Sequence, residues 1–239
     1  TAVTFIIGSL ATAFSPSLIF LIVGRIILGV AIGIGSFTAP LYLAEIAPKR
    51  IRGMLVSLNQ LAITIGIVIS YLINYYFSVT GQWPWMLGLG VVPAIILLLG
   101  TIYLPESPRW MILKGWDQKA RAVLQRIRHG ENINNEFDEI RQTVAIEKGT
   151  HRLLLAKWLR PILFISLGLS FFQQVTGINA IIYYAPTILK MAGFKYASNA
   201  ILATLGIGII NVLFTIIALP LIDRWGRRPL LLFGLLGMF

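Results

Sequence analysis

Hydrophobic positions fill this chain in long runs separated by polar gaps, and the lengths of those runs set the architecture. Five runs, at about 18 to 44, 52 to 77, 84 to 104, 159 to 187 and 199 to 222, are each dominantly apolar over a helical length. About 20 helical residues cross the roughly 30 Å hydrocarbon core of a bilayer, so each run predicts one membrane-spanning helix. The first thirteen residues are already apolar and carry no basic leader or cleavage site, which reads as part of a span and not as a signal peptide. Leu230 to Phe239 reads as the opening of a further span, so both ends of the sequence are expected to lie inside membrane segments of a longer protein. The predicted fold class is all-α, a polytopic membrane helix bundle.

Composition supports this and charge orients it. The chain is 57% hydrophobic and 12% charged, about half the charged share of an average soluble domain. The net charge of +11 would suggest nucleic acid in a soluble protein. Here the charges sit in the gaps. Lys49, Arg50 and Arg52 lie in one, eleven Lys and Arg lie between Pro105 and Arg160, and Arg224, Arg227 and Arg228 follow the last full run. The alternate gaps hold only Lys190 and Lys195, which places the basic gaps in the cytoplasm by the positive-inside bias and removes nucleic acid as the expected partner.

The long basic gap predicts a small helical subdomain. Asp117 is placed to cap a helix from Gln118 to His129 closed by Gly130, and Asn134 or Asn135 to cap a second ending near Gly149. Its mixed charges fit a linker and strut on the membrane surface between two membrane halves, with regulation as the alternative.

Polar side chains inside a span are costly and therefore informative. In the second full run Gln60, Thr64, Tyr71 and Asn74 fall within about 80° of arc on one helix face, which predicts a stripe lining a water-filled cavity or, alternatively, bonding between helices. The fourth run holds Gln173, Gln174, Thr176, Asn179, Tyr183 and Tyr184, which do not share one face of a straight helix. Gln173 and Tyr184 align within about 20°, whereas Asn179 and Tyr183 align about 100° away. A break near Thr176 and Gly177 reconciles the two sets, and interrupted helices are how many transporters build a site at mid-membrane. In the fifth run Thr204, Gly208, Asn211 and Thr215 share a face, with Asn211 the strongest ligand candidate because an amide has more hydrogen-bonding groups to satisfy than a hydroxyl. Arg25 lies about eight residues inside the first run, with no Asp, Glu or His in these runs to pair with it.

The chain lacks Cys, its two His residues sit in the long basic gap, and no nucleophile elbow or metal-ligand spacing occurs. An enzyme is therefore not expected, and neither is a metal or organic cofactor. Uncharged amides and hydroxyls suit a neutral ligand rich in hydroxyls, since each side can donate and accept. A sugar or polyol is the chemical expectation.

The motifs converge on a family. Gln173-Gln174-Val175-Thr176-Gly177-Ile178-Asn179, continuing through Tyr183-Tyr184-Ala185-Pro186-Thr187, resembles the seventh-helix signature of the sugar porters of the major facilitator superfamily. Pro105-Glu106-Ser107-Pro108-Arg109-Trp110 resembles the motif closing their sixth helix, and Asp223-Arg224-Trp225-Gly226-Arg227-Arg228-Pro229 the loop between helices eight and nine. Gly24-Arg25 and Tyr42-Leu43-Ala44-Glu45-Ile46-Ala47-Pro48, with Arg52-Gly53, resemble the fourth helix and the loop after it.

The resemblance implies helices four to eight of a twelve-helix protein, with part of helix three before them and the start of helix nine after. It implies residues 1 to 104 as the end of an N-terminal half, 105 to 157 as the cytoplasmic linker and 158 to 239 as the start of a C-terminal half. It further implies that Gln60, Gln173, Gln174, Asn179 and Asn211 bond the sugar, and that Tyr183 lines the same cavity. Glu45, Arg52, Glu106, Arg109, Asp223, Arg227 and Arg228 match an ion-pair network that latches the two halves on the cytoplasmic side. Arg25 matches an arginine that lies near a first-helix aspartate in proton-coupled members, so a proton is the one coupling ion to consider. Ile67 is apolar where some pentose-proton symporters carry a second glutamine, and hexose and pentose both stay open. The expected function is transport of a monosaccharide by alternating access, as symport or facilitated diffusion, by a monomer in an inner or plasma membrane. A non-transporting sugar sensor and a membrane enzyme are the alternatives.

Overall fold

The computed structural model describes residues 1–48, 51–128, 133–147, 159–193 and 197–237, and among these every regular element is helical. In chain order they are α1 (Ala2–Ala13), α2 (Leu18–Ile46), α3 (Arg52–Thr80), α4 (Trp83–Gly88), α5 (Val91–Tyr103), α6 (Pro108–Leu113), α7 (Asp117–Ile127), α8 (Asn134–Glu147), α9 (Arg160–Val175), α10 (Ile178–Met191), α11 (Ala197–Trp225) and α12 (Arg227–Leu236). Five segments are long and apolar enough to cross a membrane: Leu18–Ile46, Arg52–Thr80, Trp83–Tyr103, Arg160–Met191 and Ile201–Leu221. They coincide with the five runs read from the sequence.

Helix ends follow local chemistry. Ser17 opens α2, its side chain accepting from the Phe20 backbone N–H at 3.3 Å. The helix runs to Ile46, so Glu45 lies in its last turn and not in the following gap. It stops there because Ala47 precedes Pro48 and adopts the extended conformation that proline imposes on its predecessor. At the other end of the next helix Gly81, at φ 70°, closes α3. The third span is not one helix but two. Pro93 has no N–H for the Leu89 carbonyl, which accepts instead from the Val92 N–H at 3.1 Å, and the ladder is interrupted between α4 and α5.

The chain divides into two compact units, one of Thr1–Tyr103 with Pro186–Phe239 and one of Leu104–Ala185. In the first, α1 packs on α2, α4 and α5, through small residues. A Cβ placed on Gly24 would lie 2.7 Å from Cγ2 of Thr12, one on Gly8 2.9 Å from Cγ of Leu28, and one on Gly88 3.2 Å from Cβ of Ala13. Lipid offers apolar side chains no advantage in meeting one another, so membrane helices associate through such close backbone approach. The buried Thr12 hydroxyl is satisfied within its own helix by the Ser9 carbonyl at 2.9 Å. Helix α3 packs on α11 in the same manner, with Gly208 against Val68 and Tyr71.

The second unit contains a small apolar core outside the spans. Met111, Ile112, Ala120, Leu124, Ile133, Phe137 and Val144 are buried together, with Val123 and Ile140 packed against them. Beside it Arg128 makes a two-pronged ion pair with Glu136, Nε to Oε2 at 2.9 Å and Nη2 to Oε1 at 2.6 Å, and Arg121 lies 4.3 Å over the Phe137 ring. The expected caps are displaced. Asp117 is the first helical residue of α7 and Trp116 its cap, because Gly115, at φ 78°, turns the chain and the Trp116 carbonyl accepts from the Ala120 N–H. Asn134 likewise begins α8, with the Ile133 carbonyl accepting from Phe137, and its side chain accepts from Arg121 at 3.4 Å instead. Helix α7 ends at Ile127; the expected terminators His129, Gly130 and Gly149 lie outside the described residues.

Candidate binding site

The break expected in the fourth span is present. Helix α9 ends at Val175 and α10 begins at Ile178, with Gly177 between them at φ 76°. L-residues with a side chain are disfavoured in that left-handed region, so glycine is what permits the turn. The Thr176 N–H still reaches the Phe172 carbonyl at 3.0 Å, the Gly177 N–H folds back to Gln174 at 3.1 Å, and the Gly177 carbonyl starts the next helix by accepting from Ile181 at 3.0 Å. The Thr176 hydroxyl donates to the Gln173 carbonyl at 2.6 Å. The helix is thus interrupted over two residues, Thr176 and Gly177, at little cost in hydrogen bonds.

One pair of predicted site residues meets across this break. The Asn179 side-chain amide donates to Oε1 of Gln174 at 2.9 Å. Both residues are exposed, as are Gln173 and Tyr183, the latter 77% accessible. Each amide has both donor and acceptor groups, and the mutual bond uses one side of each. Whichever way the pair is turned, one amide presents an N–H₂ group outward and the other a carbonyl oxygen. A single hydroxyl, which donates and accepts at once, satisfies both.

The other predicted site residues lie in the first unit. Gln60 on α3 is exposed and Asn211 on α11 half-buried, on two helices that pack together. The polar stripe predicted on α3 divides in two. Thr64 and Tyr71 are buried, Thr64 bonding the Leu61 carbonyl at 2.9 Å and Tyr71 lying against Gly208, so half of the stripe is packing. On α11 the same holds for Thr204, fully buried and bonded to the Ile201 carbonyl at 2.6 Å, and Thr215 bonds the Asn211 carbonyl at 2.8 Å. A hydroxyl can be satisfied by its own helix in this way, whereas an amide, with two N–H donors and a carbonyl, has more groups to satisfy than one backbone carbonyl meets. Gln60, Asn74 and Asn211 are the amides that remain of the two stripes, Asn74 half-buried like Asn211.

Arg25 is exposed on α2, and among the described residues no carboxylate lies within 4 Å of it. Of the predicted network, Glu45 and Arg109 are engaged by neighbouring groups, and Arg52, Glu106 and Arg228 are exposed. The side chains of Asp223 and Arg227 lie outside the described residues.

Comparison with known proteins agrees with this architecture. The family described as "Sugar (and other) transporter" matches residues 1–239. The galactose-proton symporter of Escherichia coli K12 is 44% identical over 239 residues, which is 99% of this chain and 52% of that protein. The glucose transporter GlcP of Staphylococcus epidermidis is 45% identical over 237 residues, 99% of this chain and 53% of that protein. Among solved structures, the proton:xylose symporter XylE bound to 6-bromo-6-deoxy-D-glucose superposes with a TM-score of 0.85 at 32% identity, covering 96% of this chain and 53% of that one. The chain thus spans about half the length of the curated relatives it matches.

Proposed function

The chain belongs to the sugar transporter family, and from that premise we propose that in its full-length context it carries a monosaccharide, a hexose or a pentose, across a membrane by alternating access. The observation that carries this reading is the Gln174 and Asn179 amide pair joined across the Gly177 break, in a span long and apolar enough to cross a membrane. It offers a donor and an acceptor side by side to a neutral polyhydroxylated ligand and no charge to hold an ion.

In this reading Gln173, Gln174, Asn179 and Tyr183 supply one part of the sugar site and Gln60 and Asn211 the other. Binding must be of similar strength in the outward and inward states, because a ligand favouring one of them strongly would trap it. Neutral amides meet that demand with hydrogen bonds of moderate strength. Glu45, Arg52, Glu106, Arg109, Asp223, Arg227 and Arg228 form a cytoplasmic latch that closes in the outward-open state and parts in the inward-open one. The basic gaps face the cytoplasm, residues 105–157 link the two membrane halves, and the working unit is a monomer. Two relatives are named proton symporters, and this supports a proton as the coupling ion, with Arg25 as its participant in this part of the chain.

Radiolabelled-sugar counterflow in proteoliposomes carrying the full-length protein, over hexoses, pentoses and polyols, tests the reading. Exchange of at least one monosaccharide is expected, with accumulation when an inward proton gradient is imposed. Absence of exchange in folded protein overturns it, and exchange that no gradient concentrates overturns the proton coupling alone.

A further inference from the structure

The turn between α6 and α7 builds a surface that sugar transport does not use. Gly115, at φ 78°, reverses the chain and the Trp116 N–H returns to the Met111 carbonyl at 2.9 Å. Met111 and Ile112 thereby enter the core of the subdomain, and Trp110 and Trp116 are left outside it, 37% and 44% accessible. Their rings meet edge to face at 5.3 Å. Two ammonium groups flank them, Lys114 Nζ at 5.7 Å from the Trp110 ring and Lys119 Nζ at 4.8 Å from the Trp116 ring.

The charge of this surface is uncompensated. Among the described residues no carboxylate lies within 4 Å of Lys114 or Lys119, and Asp117, the acid between them in sequence, faces Arg141 at 3.7 Å. Indole combines an apolar body with an N–H and concentrates at the boundary between headgroups and acyl chains, where lysine ammonium meets phosphate. The surface is also tethered to that boundary. Trp110 follows Tyr103, the last residue of a membrane span, by seven positions, which is about 25 Å of chain even when fully extended.

We propose that Trp110, Lys114, Trp116 and Lys119 form a docking face for anionic phospholipid headgroups in the leaflet on the side of the basic gaps. The indoles lie at the boundary and the lysines take the lipid phosphates. The short tether and the pairing of exposed indole with unpaired ammonium favour lipid over an acidic protein partner.

The full-length protein, solubilised with equal phosphatidylglycerol and phosphatidylcholine, gives the test: the retained lipids are quantified by mass spectrometry. Phosphatidylglycerol is expected to be enriched, and the enrichment to fall about fivefold for each lysine replaced in Lys114→Gln and Lys119→Gln. The pair Arg126→Gln and Lys190→Gln, an equal change of charge elsewhere, is expected to leave it nearly unchanged. Retention unaltered in the lysine variants, an equal fall in the control pair, or full displacement of the lipid by millimolar inorganic phosphate overturns the proposal. A second measurement does not depend on those variants folding. A nitroxide on Gln118→Cys is expected to lose contact with an aqueous relaxation agent in phosphatidylglycerol nanodiscs relative to detergent. Equal contact in both, or shielding that needs added acidic protein, overturns the proposal.

Discussion

Gly208 faces Tyr71 so closely that a methyl group placed on it would lie 3.1 Å from Cδ2 of the ring and 3.0 Å from Cγ2 of Val68. Two long helices, α3 and α11, depend on this glycine for their approach. A leucine there must push Val68 and the buried Tyr71 aside. Overpacking of this kind costs about 1–3 kcal/mol. Gly208→Leu is expected to lower the unfolding temperature of the detergent-solubilised protein, with Gly208→Ala intermediate, as read by intrinsic fluorescence on heating. An unchanged unfolding temperature in Gly208→Leu would show that the approach is not needed.

The amide pair across the break predicts a specific form of non-additivity. Gln174→Ala and Asn179→Ala are each expected to weaken sugar binding about threefold to tenfold, the range of one net hydrogen bond. Because each substitution also frees its partner to turn, the double variant is expected to lose less than the product of the two. Isothermal titration on the four proteins of the cycle measures this, and strictly multiplicative losses would mean that the two amides act separately.

Gly177 is the one residue at the break with a positive φ, and a side chain there costs about 1–2 kcal/mol. Gly177→Ala is expected to reduce both stability and sugar affinity, and Gly177→Asn, which tolerates the left-handed region better, to recover part of each. Equal behaviour of the alanine and asparagine variants would point away from backbone conformation as the cause.

In the helical subdomain between the spans, Arg128 and Glu136 are paired with side chains only 5% and 22% accessible. Removing one partner leaves the other buried without its counter-charge, at a cost of about 3 kcal/mol. Glu136→Ala is expected to speed proteolysis and amide exchange across residues 117–147, whereas Arg128→Met with Glu136→Leu is expected to restore much of the protection. Protection unchanged in Glu136→Ala would mean that the apolar core holds the unit unaided.

The spans were legible in the sequence because run length alone fixes a membrane helix, and the break at Gly177 because Gln173 and Asn179 could not share a face without it. Other features depended on neighbours far along the chain. Thr64 and Gln60 stand within about 40° of each other on α3, yet one is buried and bonded to its own helix and the other is exposed. Angle cannot separate a hydroxyl that its own helix satisfies from an amide left exposed. The third run reads as one helix by length, and its division after Gly88 comes from Pro93, whose missing N–H leaves the Leu89 carbonyl to accept from Val92. Asp117 and Asn134 open α7 and α8 instead of capping them, and for α7 the cause is Gly115, which sets where the helix begins.

The apolar core of α6 to α8 has an order in time as well as in space. Every one of its seven buried residues, from Met111 to Val144, precedes Arg160, where α9 begins. Synthesis adds about 5–20 residues per second, so this core is complete in the nascent chain roughly one to three seconds before the first residue of the next span is made. Its contacts are local, and local contacts form quickly. Every residue that this core needs is therefore made before any residue of the later spans exists.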